Sequence, residues 1–157
     1  THNHPNFSWF SASNGDMAYT ASMGIDEFRV VWPDGTMIKL EAPNGWGDIA
    51  YEAKRARGES ASIEPYLAWR KGLGSYVAGP STKVARRAYR EARAAGRRFT
   101  QRDYAVAYTE EANKRLVDHG RRVGVDLRIS VRQPEEGAKA GLRRTRPAPE
   151  RLAVKPT

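Results

Sequence analysis

Two histidines, a serine and an aspartate near the start of the chain are of types that can hold and use a divalent metal. His2 and His4 are spaced His-x-His. On an extended segment successive side chains alternate, so the two imidazoles would point to the same side of a strand. Pro5 then ends such a strand by withdrawing a ladder donor. A hydrolytic zinc centre needs three protein ligands, an open position for water and a nearby base. The third ligand must come from elsewhere, and Asp16 sits where a helix can begin. Ser13, three residues earlier, is placed either to cap that helix or to donate a hydrogen bond to a developing oxyanion. The chain has no cysteine, which excludes disulfides and thiolate sites and leaves His, Asp and Glu as metal ligands.

The order H-x-H-P, a spacer, then S-x-x-D resembles the metal-binding signature of the JAB/MPN metallopeptidases. The spacer, residues 5–12, is one residue longer than is usual in that family, a difference confined to a loop. The whole stretch HNHPNFSWFSASNGDMAYTASMGIDEFRVVWPDGTMIKL is similar to a branch found in phage head-associated proteins and bacterial polymorphic toxins. There too the signature is followed by a short helix, a G-I-x-E junction and a hairpin around P-D-G. The likeness covers about residues 1–45. It implies that His2, His4 and Asp16 are zinc ligands, that Ser13 supports an oxyanion, and that the reaction is amide hydrolysis. The family's general base is a Glu on a strand well before the H-x-H, and no downstream Glu can be assigned its role. The base is therefore expected on a segment of the polypeptide upstream of Thr1, or else the site is degenerate. The plainer alternatives are an ordinary chain terminus for the histidines and an ordinary helix cap for Asp16.

These residues need elements to position them. Residues 2–15 read as a strand end running into a loop, and 16–23 as a short helix stopped at Gly24. Residues 25–32 and 36–40 are β-branched, aromatic or alternating, with Pro33-Asp34-Gly35 between them, which predicts a hairpin. Asp48 is placed to cap a helix running to about Arg57. Three helices follow over about residues 63–77, 82–95 and 101–122, the first weakened by Gly72 and Gly74. The last opens with Thr100 and Asp103 in a capping-box pattern, and Tyr104, Tyr108, Ala112 and Leu116 suggest its buried stripe. His119, near its end, is expected to face solvent and complement the helix dipole. Trp46, Tyr51, Tyr66 and Trp69 are expected to be core or groove-lining, and Trp9 and Phe10 to lie in the loop over the metal. Residues 125–131 alternate as a final strand.

The expected fold class is α/β (α+β). Residues 1–58 would form the C-terminal part of a JAB/MPN-like core, and 59–132 a helical basic region ending in a strand. Residues 133–157, rich in Pro, Gly, Glu and Arg, form a tail that is disordered or ordered by a partner.

Charge is unevenly spread along the 157 residues, whose formal net charge is +9. Residues 1–79 hold 7 Lys/Arg against 9 Asp/Glu, whereas residues 80–123 hold 12 against 5. Arg86, Arg90, Arg93 and Arg97 form a stripe at helical spacing with Arg98 beside it, opposite Val84, Ala85, Ala88 and Ala92. Such a face is either simply solvated or in contact with DNA phosphates or an acidic protein surface. No helix-turn-helix or zinc-finger pattern is present, which argues against sequence-specific DNA reading. No apolar stretch approaches the roughly 18 residues of a membrane span, and no signal peptide is expected. A cytoplasmic or virion-associated location fits these features. Two other roles stay open: a phage or virion structural component that uses the basic helices as contacts, and a toxin module at the end of a longer polypeptide.

Overall fold

Alternation over residues 27–41 sets the sheet. The computed structural model describes residues 2–3, 12–78 and 82–132. In it β1 (His2–Asn3), β2 (Glu27–Val31), β3 (Met37–Glu41) and β4 (Arg128–Arg132) form one sheet in that order. β1 is parallel to β2; the other two pairings are antiparallel. The turn between β2 and β3 closes as its sequence predicts. The Gly35 N–H donates to the Trp32 carbonyl at 2.9 Å, the Asp34 carboxylate accepts from the Thr36 N–H at 2.9 Å, and Gly35 sits at φ 85°.

The register places Val30 opposite Ile38 and Ile38 opposite Val131, with Phe28, Leu40 and Ile129 in the next row. Val30, Ile38 and Leu40 are buried, while the intervening Glu27, Arg29, Lys39, Glu41 and Arg128 point the other way. Period-two side-chain geometry thus gives one packed and one wet face. The helices are α1 (Asn14–Ser22), α2 (Tyr51–Ala56) after a 3-10 turn at Gly47–Ile49, α3 (Glu64–Ala78), α4 (Thr82–Ala94) and α5 (Gln101–Arg122); α1, α3 and α5 share the core with the packed face, and α4 packs on α5. The class is therefore mixed α+β. One apolar core runs from Ala12 to Leu127, drawing Met17 and Ala21 from α1, Trp69, Leu73 and Tyr76 from α3, and Ala112 and Leu116 from α5. A smaller cluster of Val84, Ala88 and Ala107, with Phe99 against it, joins α4 to α5.

Several elements differ from the sequence reading, each for a physical reason. Asp48 caps nothing; its carboxylate pairs with the Lys54 ammonium at 2.5 Å, and the chain makes a 3-10 turn before α2. The buried residues of α5 are Ala105, Ala107, Thr109, Ala112, Asn113, Leu116 and Gly120, while Tyr104 and Tyr108 are half-buried. Helix α5 packs against α3 and α4 at once, so its covered surface is wider than a four-residue repeat suggests. Helix α4 ends at Ala94, and Gly96 at φ 68° turns the chain away. Arg97 and Arg98 therefore lie on the connection to α5 rather than on the helical stripe.

His119 is the largest departure. It does not face solvent: its ring stacks on Trp69 at 4.9 Å between centroids and 9° between planes. Its Nε2–H donates to the Trp69 carbonyl at 2.8 Å. The close approach requires Gly72, since a Cβ there would lie 2.0 Å from His119 Cε1. Gly72 is thus the contact that admits α5, whereas a Cβ on Gly74 would meet nothing within 4 Å.

Two substitutions on the same helix, at Gly72 and Gly74, should therefore behave oppositely. Gly72→Ala is expected to cost about 2 kcal/mol, the overpacking penalty less the gain in helix propensity. Gly74→Ala should stabilise by up to about 1 kcal/mol. In a His119→Ala background the cost of Gly72→Ala should vanish, which urea unfolding of the four variants would read as a coupling energy.

Candidate metal centre and basic helix

The first turn of α1 is fixed by its own side chains. Ser13, in extended backbone (φ −78°, ψ 164°), is the N-cap, and its Oγ accepts from the Asp16 N–H at 3.1 Å. Asp16 Oδ2 accepts in return from the Ser13 N–H at 2.9 Å and from the Ser13 hydroxyl at 2.7 Å. This is a complete capping box, and it places a carboxylate at the positive end of the helix. The residue before the cap is pinned as well. Ala12 is buried, and its carbonyl accepts from the Tyr76 hydroxyl of α3 at 2.8 Å.

The strand side of the site is described in part. His2 lies in β1 at the register position of Val30. His4 lies outside the described residues, as do Trp9 and Phe10. β1 and β2 are parallel neighbours, so the chain leaving Asn3 must travel back along the sheet before β2 begins. Helix α1 ends at Ser22, five residues before Glu27, and it is the regular element of that return among the described residues. Ser13 and Asp16 are in direct contact. Among the described residues no group of three His, Asp or Glu side chains is gathered closely enough to hold a metal. The donor set named by the sequence, two imidazoles and one carboxylate, suits zinc chemically, and the capping box gives Asp16 a defined orientation.

Beside this turn a groove of about 610 Å³ runs between α1 and α3, bordered by Asn14, Gly15, Tyr19, Tyr66, Arg70 and Lys71. Among the described residues no acidic side chain lines it. Tyr19, 62% exposed, and the exposed Arg70 and Lys71 were not singled out by sequence. Sequence alone carries no signal for them, because only the packing of α1 on α3 brings them together.

The basic residues divide into two groups. Arg86, Arg90 and Arg93 are exposed on α4, opposite the buried Val84, Ala88 and Ala92, as the periodicity predicts. Arg97 instead pairs with Asp103 Oδ1 at 3.1 Å, tying the α4–α5 connection to the cap of α5, and Arg98 is exposed on that connection. Asp103 also accepts from the Thr100 N–H and hydroxyl, each at 2.8 Å. The Thr100 backbone and hydroxyl bonds, helped by Arg97, hold its carboxyl below the usual carboxylate range.

No protein-family model matches the chain, and no curated protein or solved structure matches it.

Both capping boxes should register in stability without any metal. Ser13→Ala and Thr100→Ala are each expected to cost about 1 kcal/mol in chemical denaturation. For Asp103 the folded pKa lies below the unfolded one, so its contribution is present above about pH 4 and lost as pH falls further. The stability difference between Asp103→Asn and the parent chain should therefore shrink between neutral pH and about pH 3.

Proposed function

We propose that this chain carries the metal-binding part of a zinc-dependent amide hydrolase centre, with His2, His4 and Asp16 as ligands and Ser13 as oxyanion donor. The observation that carries the reading is the interlocked Ser13–Asp16 pair at the start of α1, which follows β1 in the chain and precedes β2. Bound zinc would supply a Lewis acid and lower the pKa of a coordinated water.

The chain's own residues do the positioning. The Ser13 N–H and hydroxyl orient Asp16 Oδ2, and the buried Ala12 and Tyr76 hold that turn on α3. The Ser13 hydroxyl can rotate from Asp16 to a developing oxyanion while its backbone N–H keeps the carboxylate in place. The α1–α3 groove, bordered by Arg70, Lys71, Tyr19 and Tyr66, suits a polypeptide with acidic side chains beside the scissile bond. The resemblance to JAB/MPN metallopeptidases implies a Glu on a preceding strand as general base.

The test is zinc content of the natively purified polypeptide by mass spectrometry. About one zinc per chain is expected, lost in His2→Ala/His4→Ala and in Asp16→Ala. Ser13→Ala should retain the metal and lower turnover of an acidic peptide substrate by about 10²-fold. Zinc absent from the parent chain, or unchanged in the histidine double variant, overturns the proposal.

A further inference from the structure

A second surface, independent of the metal reading, lies on α4. A groove of about 570 Å³ is lined by Lys83, Ala85, Arg86, Tyr89, Arg90 and Phe99. Three of these six side chains are cationic and none is acidic. Lys83, Arg86 and Arg90 sit at i, i+3 and i+7, one face of the helix, and Tyr89 is three residues beyond Arg86 on the same face. Tyr89 is 47% exposed, with Phe99 edge-on to it at 5.7 Å.

The acidic residues nearby are already engaged. Glu91 pairs with Arg87 at 3.7 Å and Asp103 with Arg97 at 3.1 Å. Among the described residues neither Arg86 nor Arg90 has an ion pair. Two like charges at i and i+4 with no counter-ion destabilise a helix slightly, so this pair contributes nothing to folding. A half-exposed aromatic beside Arg86 and Arg90 is what a nucleic-acid strand with unstacked bases can use: phosphates meet the guanidiniums while a base lies on the ring. A duplex offers phosphates but keeps its bases stacked, and a run of acidic side chains carries no aromatic face to lay on Tyr89.

We propose that the α4 groove binds single-stranded nucleic acid, with Arg86 and Arg90, aided by Lys83, on the phosphates and Tyr89 as the stacking platform, backed by Phe99. Binding is driven by counter-ion release and is not sequence-specific.

Fluorescence anisotropy of labelled 20-nucleotide single-stranded DNA, its RNA counterpart, the matching DNA duplex and a poly-glutamate peptide tests this on the full chain. The DNA strand is expected to bind, the duplex and the peptide at least tenfold more weakly, with affinity falling as salt rises. The RNA arm decides which strand the groove prefers. Tyr89→Ala should weaken strand binding roughly tenfold, the order of one lost base stack, and Tyr89→Phe should restore it. Arg86→Glu/Arg90→Glu should abolish binding in moderate salt and flatten the salt dependence. Thermal unfolding of each variant checks that it is folded. No binding of either strand at low salt, equal affinity for the duplex or the peptide, or a folded Tyr89→Ala that binds like the parent chain would overturn the proposal.

Discussion

The arrangement of helices on the sheet depends on one indole. Trp69, fully buried, meets Trp46 edge-on at 5.2 Å, lies flat on His119, and donates its Nε1–H to the Met17 carbonyl of α1 at 3.2 Å. Its own carbonyl accepts from His119 of α5. Trp46 in turn donates to the Ile25 carbonyl at 2.8 Å, just before β2. One side chain thus ties α1, α3, α5 and the approach to the hairpin together. Indoles are buried at low cost only when the N–H finds a partner, and here both do. Nothing in this network involves the residues proposed to react, yet the position of α1, and with it the Ser13–Asp16 turn, follows from it.

The elements most legible in the sequence are those whose signal is local. The hairpin could be read because the Pro33-Asp34-Gly35 turn and the alternation on either side act within fifteen residues. Helix α5 could be read to its ends because a capping box opens it and Gly124, at φ 83°, closes it. The Ser13-x-x-Asp16 pair was visible for the same reason, and its hydrogen bonds are those of a cap whatever further role it has.

What stayed hidden is long-range. Gly72 looks like a helix weakener until α5 is packed against it, fifty residues on, and then its missing Cβ is the reason His119 fits. His119 looked like a surface residue because its ionisable ring says nothing about which helix it will meet. The groove beside α1 was equally invisible, since Tyr19 and Arg70 are neighbours only through helix packing. Tyr89 and Phe99 lay in plain view among arginines, but the sequence reading weighed charge there and not the aromatic surface between the charges.

The two proposed surfaces are held in different ways, and this bears on how each can vary. The α1 turn is set by the main core, so a change at Trp69 or Tyr76 displaces Ser13 and Asp16 without touching them. Helix α4 rests on a thin seam of Val84, Ala88 and Ala107, with Phe99 across it, and on the Arg97–Asp103 pair. Small side chains bury little area, so that seam fixes the helix weakly compared with the core. Its outer face is correspondingly free to change charge, and substitutions at Arg86 or Arg90 leave the Ser13–Asp16 turn where it is. With one turn anchored in the core and the cationic face on a lightly held helix, either can be altered while the other keeps its place.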